Sequence, residues 1–554
     1  MTRSNRKYRI WGIAAAVLLV AGTAIFARRN DFGLGRTMEI TVNMMRELAL
    51  GYVDPIDADR LLEGAAAGMV SDLDPYTEFF SEEGMSDFEI LTTGKYGGVG
   101  ALIRQKDDWV RIAQPYEGSP ADRGGLKIGD RILAIDGEPT RGYTTEQVSA
   151  LLKGEPGSRV KVTVEHLDST QQTVTLRRER ISIPGVPYAG WVADGIGYIR
   201  HSDFTEGCYE QMRAAIERLR GEGELRGLIL DYRSNGGGIL QEAVKILSMF
   251  VPKGTVVLTT RGRTEQKEYR TESEPILPDL PLAVLVNGNT ASSSEIVAGA
   301  LQDLDRAVLI GQRSFGKGLV QTTRPLGYNT MLKLTTAKYY IPSGRCIQAV
   351  DYSHSQQGDV RTVPDSLISE FTTRAGRKVY DGGGIMPDLC TEPEYISRFA
   401  VTLYALGFIE DFGDDYTRRH PGQQIDLRTF SITDADYADF KAFMKDKQVP
   451  YESDTRRALK VLTKAAADDR FEELRAQFER VEQELRDDTQ TNLDTYREQI
   501  VDAINSDIVL RHGYQAGVIE HSLGGDGDVA EAVRVLENPG EYRRITAEQD
   551  TRKR

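Results

Sequence analysis

The chain has 554 residues, a net charge of −14, 40% hydrophobic residues and three cysteines. The acidic balance argues against nucleic acid, whose phosphates need a basic face. Cys208, Cys346 and Cys390 show no metal-ligand spacing and cannot build a disulfide framework, although a single Cys346–Cys390 bridge stays open. That length allows three or four domains, each with its own core.

At the start, Arg3, Arg6, Lys7 and Arg9 precede the uncharged run Ile10–Phe26, and Arg28 and Arg29 close it. The run sits at the lower limit for a membrane-spanning helix, and a cleaved signal peptide is its rival. More positive charge lies before the run than after it, so the tail is expected in the cytoplasm and the rest outside. An uncleaved anchor over 1–30 is the expectation. A helical segment follows over 31–86, with apolar faces supplied by Met44, Met45, Leu48, Leu61, Leu62, Met69 and Val70. Over 87–180 glycine turns alternate with short β-rich runs such as Arg159–Glu165.

The region 181–395 reads as α/β. Leu225–Asp231 is a strand, Ser234–Gly238 a glycine-rich turn and Ile239–Phe250 a helix. Leu282–Asn287 is a buried strand, Ser294–Leu304 has helical spacing, and Ala307–Ile310 returns as a strand before Gly316-Lys317-Gly318. Such a strand–helix–strand unit is right-handed with parallel strands. Ser292 and Lys317 therefore emerge at one sheet edge, where open α/β folds place their chemistry. A polar stretch at 351–378 interrupts this region. From 396 to 554 the chain is charged and helical. Its stripe of Phe471, Leu474, Phe478, Val481 and Leu485 is expected to pack against the same chain, two heptads being short for a coiled coil. A second copy or a regulatory partner is the other use for these helices.

A serine hydroxyl needs a base to become a nucleophile. Lysine, with a pKa of about 10.4, serves only if burial lowers it to about 7–8, roughly 4 kcal/mol of differential solvation. Gln321 is placed to orient the neutral amine without adding charge. Ser292 at a helix start puts a developing oxyanion near unpaired N–H groups, that of Ser293 among them. The glycine turn offers further bare N–H groups. This chemistry requires neither metal nor cofactor. None of the six histidines lies in an HExxH pattern, and His201 reads as a packing or surface residue. Gly311–Lys317 has phosphate-loop spacing, but position 318 is Gly where magnesium needs a hydroxyl, and a β-like run follows instead of a helix.

These residues resemble a known family. Tyr52-Val53-Asp54-Pro55 and Leu73-Asp74-Pro75-Tyr76 open the match. Tyr96-Gly97-Gly98-Val99-Gly100, Gly118-Ser119-Pro120-Ala121, Gly129-Asp130 and Ile135-Asp136-Gly137 look like a PDZ domain. Thr290–Ile296, Ser314–Gly318 with Gln321, and Gly384–Asp388 resemble the catalytic motifs of the carboxy-terminal processing (tail-specific) serine proteases. Ser293 stands where that family usually has alanine. The resemblance implies an α/β ClpP/crotonase-like protease core with an inserted PDZ domain; with the N-terminal membrane anchor and the helical C-terminal region read from the residues, the latter outside the family match, this is the expected architecture. It implies a serine endopeptidase that cuts proteins near exposed or unfolded C-termini; the N-terminal run adds the expectation that its substrates are exported proteins and that it is held at a bacterial inner membrane with its catalytic part in the periplasm. It also implies Gly237 N–H as a second oxyanion donor. In the PDZ domain, Gly97, Gly98, Val99 and Gly100 would hold the substrate carboxylate while its tail adds as a strand. The competing expectation is a non-catalytic PDZ scaffold, which would have no reason to keep Ser292, Lys317 and Gln321 together.

Overall fold

The computed structural model describes residues 33, 35–352, 361–362, 368–485 and 488–547. The apolar run Ile10–Phe26 lies outside them. Among the described residues no helix is long and apolar enough to cross a membrane.

Residues up to Phe79 form a unit of their own, helical over 35–51 and Ala58–Val70. Asp57 caps the second helix, its Oδ1 accepting the Asp59 and Arg60 N–H groups. The helical reading holds there, but the apolar side chains find little cover: Met44, Leu62 and Met69 are exposed.

The rest of the chain centres on a six-stranded sheet in the order Tyr188–Ala193, Ile196–Arg200, Gly227–Asp231, Leu282–Val286, Val308–Gly311, Leu389–Cys390. The first pair is antiparallel and the others parallel. Every residue of the three strands from Gly227 to Gly311 is buried. This is the mark of a parallel sheet covered on both faces, and it explains their unbroken apolar runs. Alternate residues serve alternate faces. Leu228, Leu230, Leu282, Val284 and Leu309 pack with the helices Cys208–Glu222, Leu240–Leu247 and Ser293–Asp303. Ile229, Ala283, Leu285, Val308 and Ile310 face the other way and meet Val529, Ala532, Val535 and Leu536 of the helix Gly527–Leu536. The second face of the core sheet is thus closed by one of the last helices of the chain.

A second sheet flanks this core. Thr330–Tyr340 pairs antiparallel with both Val256–Gly262 and Leu319–Gly327. The polar stretch contributes a small hairpin, Glu370–Thr372 with Lys378–Tyr380; 353–360 and 363–367 lie outside the described residues.

Between residues 95 and 182 the chain makes a PDZ-like body. Its five-stranded path runs Ala101–Lys106, Trp109–Pro115, Arg131–Ile135, Arg159–Glu165, Gln171–Arg177. The helix Thr145–Leu152 closes a core of Val110, Ile112, Ile132, Val148, Val162 and Val164. From Arg398 onward the helices gather around Phe399, Leu403, Phe412, Phe440, Ile500, Ile504 and Ile508. The stripe on Glu472–Glu484 contacts the helix Asp454–Asp468, yet Phe471, Leu474 and Val481 stay exposed. A two-helix hairpin offers one partner only, so the expected packing is met on one side. All three cysteines are free, and the Cys346–Cys390 bridge is not formed.

Candidate active site

Ser292 follows the strand Leu282–Val286 and caps the helix Ser293–Asp303 with φ 55° and ψ −118°. A non-glycine residue in that region is strained, and a nucleophile on a sharp strand-to-helix turn is a recurring use of such strain. The sequence pattern Ser292-x-x-Glu295 is that of a capping box, and the Ser292 N–H donates to Glu295 Oε2 at 2.9 Å.

Glu295 does far more than cap. It is fully buried, and its carboxylate also accepts the Lys317 N–H at 2.9 Å, the Gly316 N–H at 2.7 Å and the Ser314 hydroxyl at 2.5 Å. One carboxylate therefore ties the turn bearing Ser292 to the turn bearing Lys317. Burial pushes its carboxyl up to about 7, against the pull of these four donors. The Tyr339 hydroxyl makes a second link, 2.5 Å from the Lys317 carbonyl oxygen and 3.3 Å from that of Ser292. Neither residue was singled out from the sequence. The capping-box spacing was the available signal for Glu295, whereas nothing local marks Tyr339.

Lys317 is half-buried, and the strand Leu319–Gly327 begins two residues later. Gln321 lies on that strand opposite Thr335, and its Nε2 donates to Thr335 Oγ1 at 3.1 Å. His201 is wholly buried against Phe204 and Tyr232, a packing residue, and burial pushes its imidazole down to about 3.

The glycine turn reaches Ser292 directly. Asn235 C=O accepts the Ala291 N–H and the Ser294 hydroxyl, each at 3.0 Å, and Gly238 C=O accepts the Ser293 hydroxyl at 2.9 Å. A Cβ at Gly237, where φ is 96°, would lie 2.7 Å from Ser292 Cβ and 2.8 Å from the Ser293 nitrogen. No other residue fits there without displacing the serine. The two expected oxyanion donors differ in state. Ser293 occupies the first helical position, where N–H groups lack an intrahelical acceptor. The Gly237 N–H instead donates to Asn235 Oδ1 at 2.9 Å.

Beneath this turn lies a charged cluster. Asp231, at the end of its strand, is wholly buried and receives Tyr198, Arg200 and Arg233. Burial works against its charge, but the two guanidinium groups hold its carboxyl below the ordinary carboxylate range.

In the PDZ-like body, Gly97 and Gly98 sit in a β-ladder opposite Arg180 and Glu179, and not in a free loop. Val99 C=O accepts the Ala121 N–H, and Gly100 C=O accepts the Tyr116 N–H and the Ser119 hydroxyl. The strand that follows, Ala101–Lys106, is an edge of its sheet, as strand addition by a peptide requires.

Residues 195–353 match the model of peptidase family S41, residues 111–166 a PDZ domain, and residues 399–536 the C-terminal helical domain of PDZ-proteases. The carboxy-terminal-processing protease of Bartonella bacilliformis is 37% identical over 346 residues, 61% of this chain and 79% of that one. The chain belongs to the carboxy-terminal-processing protease family. A CtpA-like serine protease of Staphylococcus aureus is 33% identical over 342 residues, 60% of this chain and 68% of its own length. A solved photosystem II D1 C-terminal processing protease is 29% identical, covering 63% of this chain and 86% of its own, with a TM-score of 0.35. This protease is accordingly a serine peptidase with the S41 fold, a PDZ domain and a C-terminal helical domain, and the scaffold reading is not favoured.

Proposed function

We propose that Ser292 is the nucleophile and Lys317 its general base, with Gln321 orienting the amine. The observation that carries this reading is the shared carboxylate of Glu295, which fixes both turns to one buried point. Ser292 attacks the scissile carbonyl as Lys317 takes its proton; Lys317 returns that proton to the amine that leaves as the peptide bond breaks, and water, deprotonated in turn by Lys317, then hydrolyses the acyl-enzyme and frees Ser292. The oxyanion meets the Ser293 N–H first. Gly237 N–H joins as second donor once it leaves Asn235, an exchange favoured because a full negative charge outcompetes a neutral amide oxygen.

Substrates are proteins with loose C-termini, whose terminal carboxylate enters the PDZ segment Gly97–Gly100 while the tail extends along Ala101–Lys106. The run Ile10–Phe26 tethers the chain to an inner membrane with the catalytic part exported to the periplasm, on the charge bias noted above. The domain limits we assign are 1–30, 31–86, 87–180, 181–395 and 396–554. The test is digestion of a protein bearing an unfolded apolar tail by the detergent-solubilised chain. Ser292→Ala and Lys317→Ala each abolish cleavage with the fold intact, and persistent cleavage by either rules out the dyad. Amidating the substrate's C-terminus slows cleavage if the PDZ segment reads the carboxylate.

A further inference from the structure

We propose that Asp526 and Asp528, at the start of a C-terminal helix, are positioning residues that hold the glycine turn of the active site in place through Arg233. This rests on the assignment of Ser292 as nucleophile.

The connection is continuous. Arg233 Nη2 and Nη1 bind the two oxygens of Asp526 at 2.6 and 3.0 Å, a bidentate fork, and Nη1 also reaches Asp528 Oδ2 at 3.1 Å. On its other edge the same guanidinium grips Asp231, at 2.7 Å from Nη2 and 3.1 Å from Nε. All four side chains are largely withdrawn from water, with exposures of 17% for Arg233, 15% for Asp526, 12% for Asp528 and zero for Asp231. Arg200 completes the cluster, donating to Asp231 and to the Arg233 carbonyl.

Arg233 is the last residue before the chain turns. Ser234 adopts φ 57°, a strained value, and is pinned by Asn287, which accepts its N–H and donates to its hydroxyl. The next residue is Asn235, whose carbonyl holds Ala291 and Ser294 on either side of the nucleophile. Any shift of Arg233 is therefore delivered to Gly237, four residues on, and through the Asn235 and Gly238 carbonyls to the turn of Ser292 and Ser293. Bidentate guanidinium–carboxylate pairing supplies the geometric precision such a site needs. Two carboxylates from a distant part of the chain thus complete a catalytic turn that Asp231 alone would share with two arginines.

The experiment uses the full chain in detergent, with a peptide substrate for kcat and KM. A peptide boronate is the second probe, because its tetrahedral adduct on serine draws on the oxyanion donors; the matching product peptide does not. Asp526→Asn with Asp528→Asn is expected to lower kcat by about 10–100-fold, as misplacement near 1 Å does. It should leave KM and product-peptide affinity within about twofold and weaken the boronate in step with kcat. Val529→Ala, which thins the same helix's apolar contact without touching Arg233, is the control for stability alone. Its kcat stays near wild type at temperatures where both variants are folded. Should the double variant not fold, Asp528→Asn alone, which leaves the Asp526 fork in place, is expected to lose about 3–10-fold in kcat.

Unchanged kcat and boronate affinity in a folded Asp variant overturn the inference, as does an equal kcat loss in Val529→Ala. Ser292→Ala is run alongside. If it is dead while the Asp variants are normal, only the positioning role falls. If it still cleaves, the nucleophile assignment falls and the inference with it.

Discussion

Among the described residues, the C-terminal helices meet both the catalytic sheet and the PDZ domain, the first mainly through an apolar layer beside the Arg233 cluster and the second mainly through charge pairs. Against the catalytic sheet, Val529, Ala532, Val535 and Leu536 meet Ile229, Ala283, Leu285 and Val308 in a dry apolar layer. Against the PDZ domain, Arg104 pairs with Glu410, Lys106 with Asp411, and Asp414 lies between Arg111 at 3.4 Å and Arg511 at 2.8 Å. Tyr514, where the helix Arg497–Ser522 is interrupted, donates its hydroxyl to Asp122 of the PDZ domain at 2.7 Å. Apolar layers are short-ranged and lose most of their value when opened, whereas paired charges near the surface can be exchanged for water at small net cost. The catalytic sheet is thus held mainly by apolar burial, and the PDZ domain mainly by charge pairs.

The sharpest way to break this contrast is Val535→Asp. Val535 is wholly buried in the layer, so an unpaired charge there should cost more than about 4 kcal/mol. Thermal unfolding should show the protease core collapsing with its activity, and a mild effect would mean that the layer is wet. Leu536→Ala is next, with an expected loss of about 2–5 kcal/mol in denaturant unfolding.

The opposite face of the same sheet carries a titration. Glu295 holds its proton up to about pH 7, while the unfolded chain releases it near 4.5. Between these values the folded state binds more protons, so stability falls as pH rises and levels off above about 7. Glu295→Gln should flatten that part of the stability profile measured from pH 4 to 8. The smallest effect is expected at the seam. Glu410→Gln with Asp411→Asn, which removes the charges without adding like ones, should cost about 1 kcal/mol, diminish further in high salt, and speed hydrogen exchange of Ala101–Lys106 without touching the core. Equal protection in variant and wild type would show that the pairs do not hold that strand.

The core strands were legible because a buried parallel strand writes itself as an unbroken apolar run, as Leu282–Val286 does. The turns carrying Ser292 and Lys317 followed from what bounds those runs. What escaped was non-local. Arg233 and Asp526 are far apart in the chain, and neither residue's neighbours hint at the other. Glu295 has capping-box spacing from Ser292, but its part as acceptor of a second turn is not legible, because the extra partners arrive only when Gly316 and Lys317 fold against it. The glycine motif told of N–H groups on offer to a carboxylate, but the pairing of Gly97 and Gly98 opposite Arg180 and Glu179 depends on a partner strand about eighty residues away.

Closure of the core sheet by Gly527–Leu536 sets a timetable. A chain emerging from the ribosome presents Ser292 and Lys317 long before that helix exists, and domains assemble in the order they are made. Until the helix arrives, one side of the sheet has no apolar partner and Arg233 no distant carboxylates. That face of the sheet and the Arg233 side of the glycine turn therefore reach their final packing only when Gly527–Leu536 has folded against them.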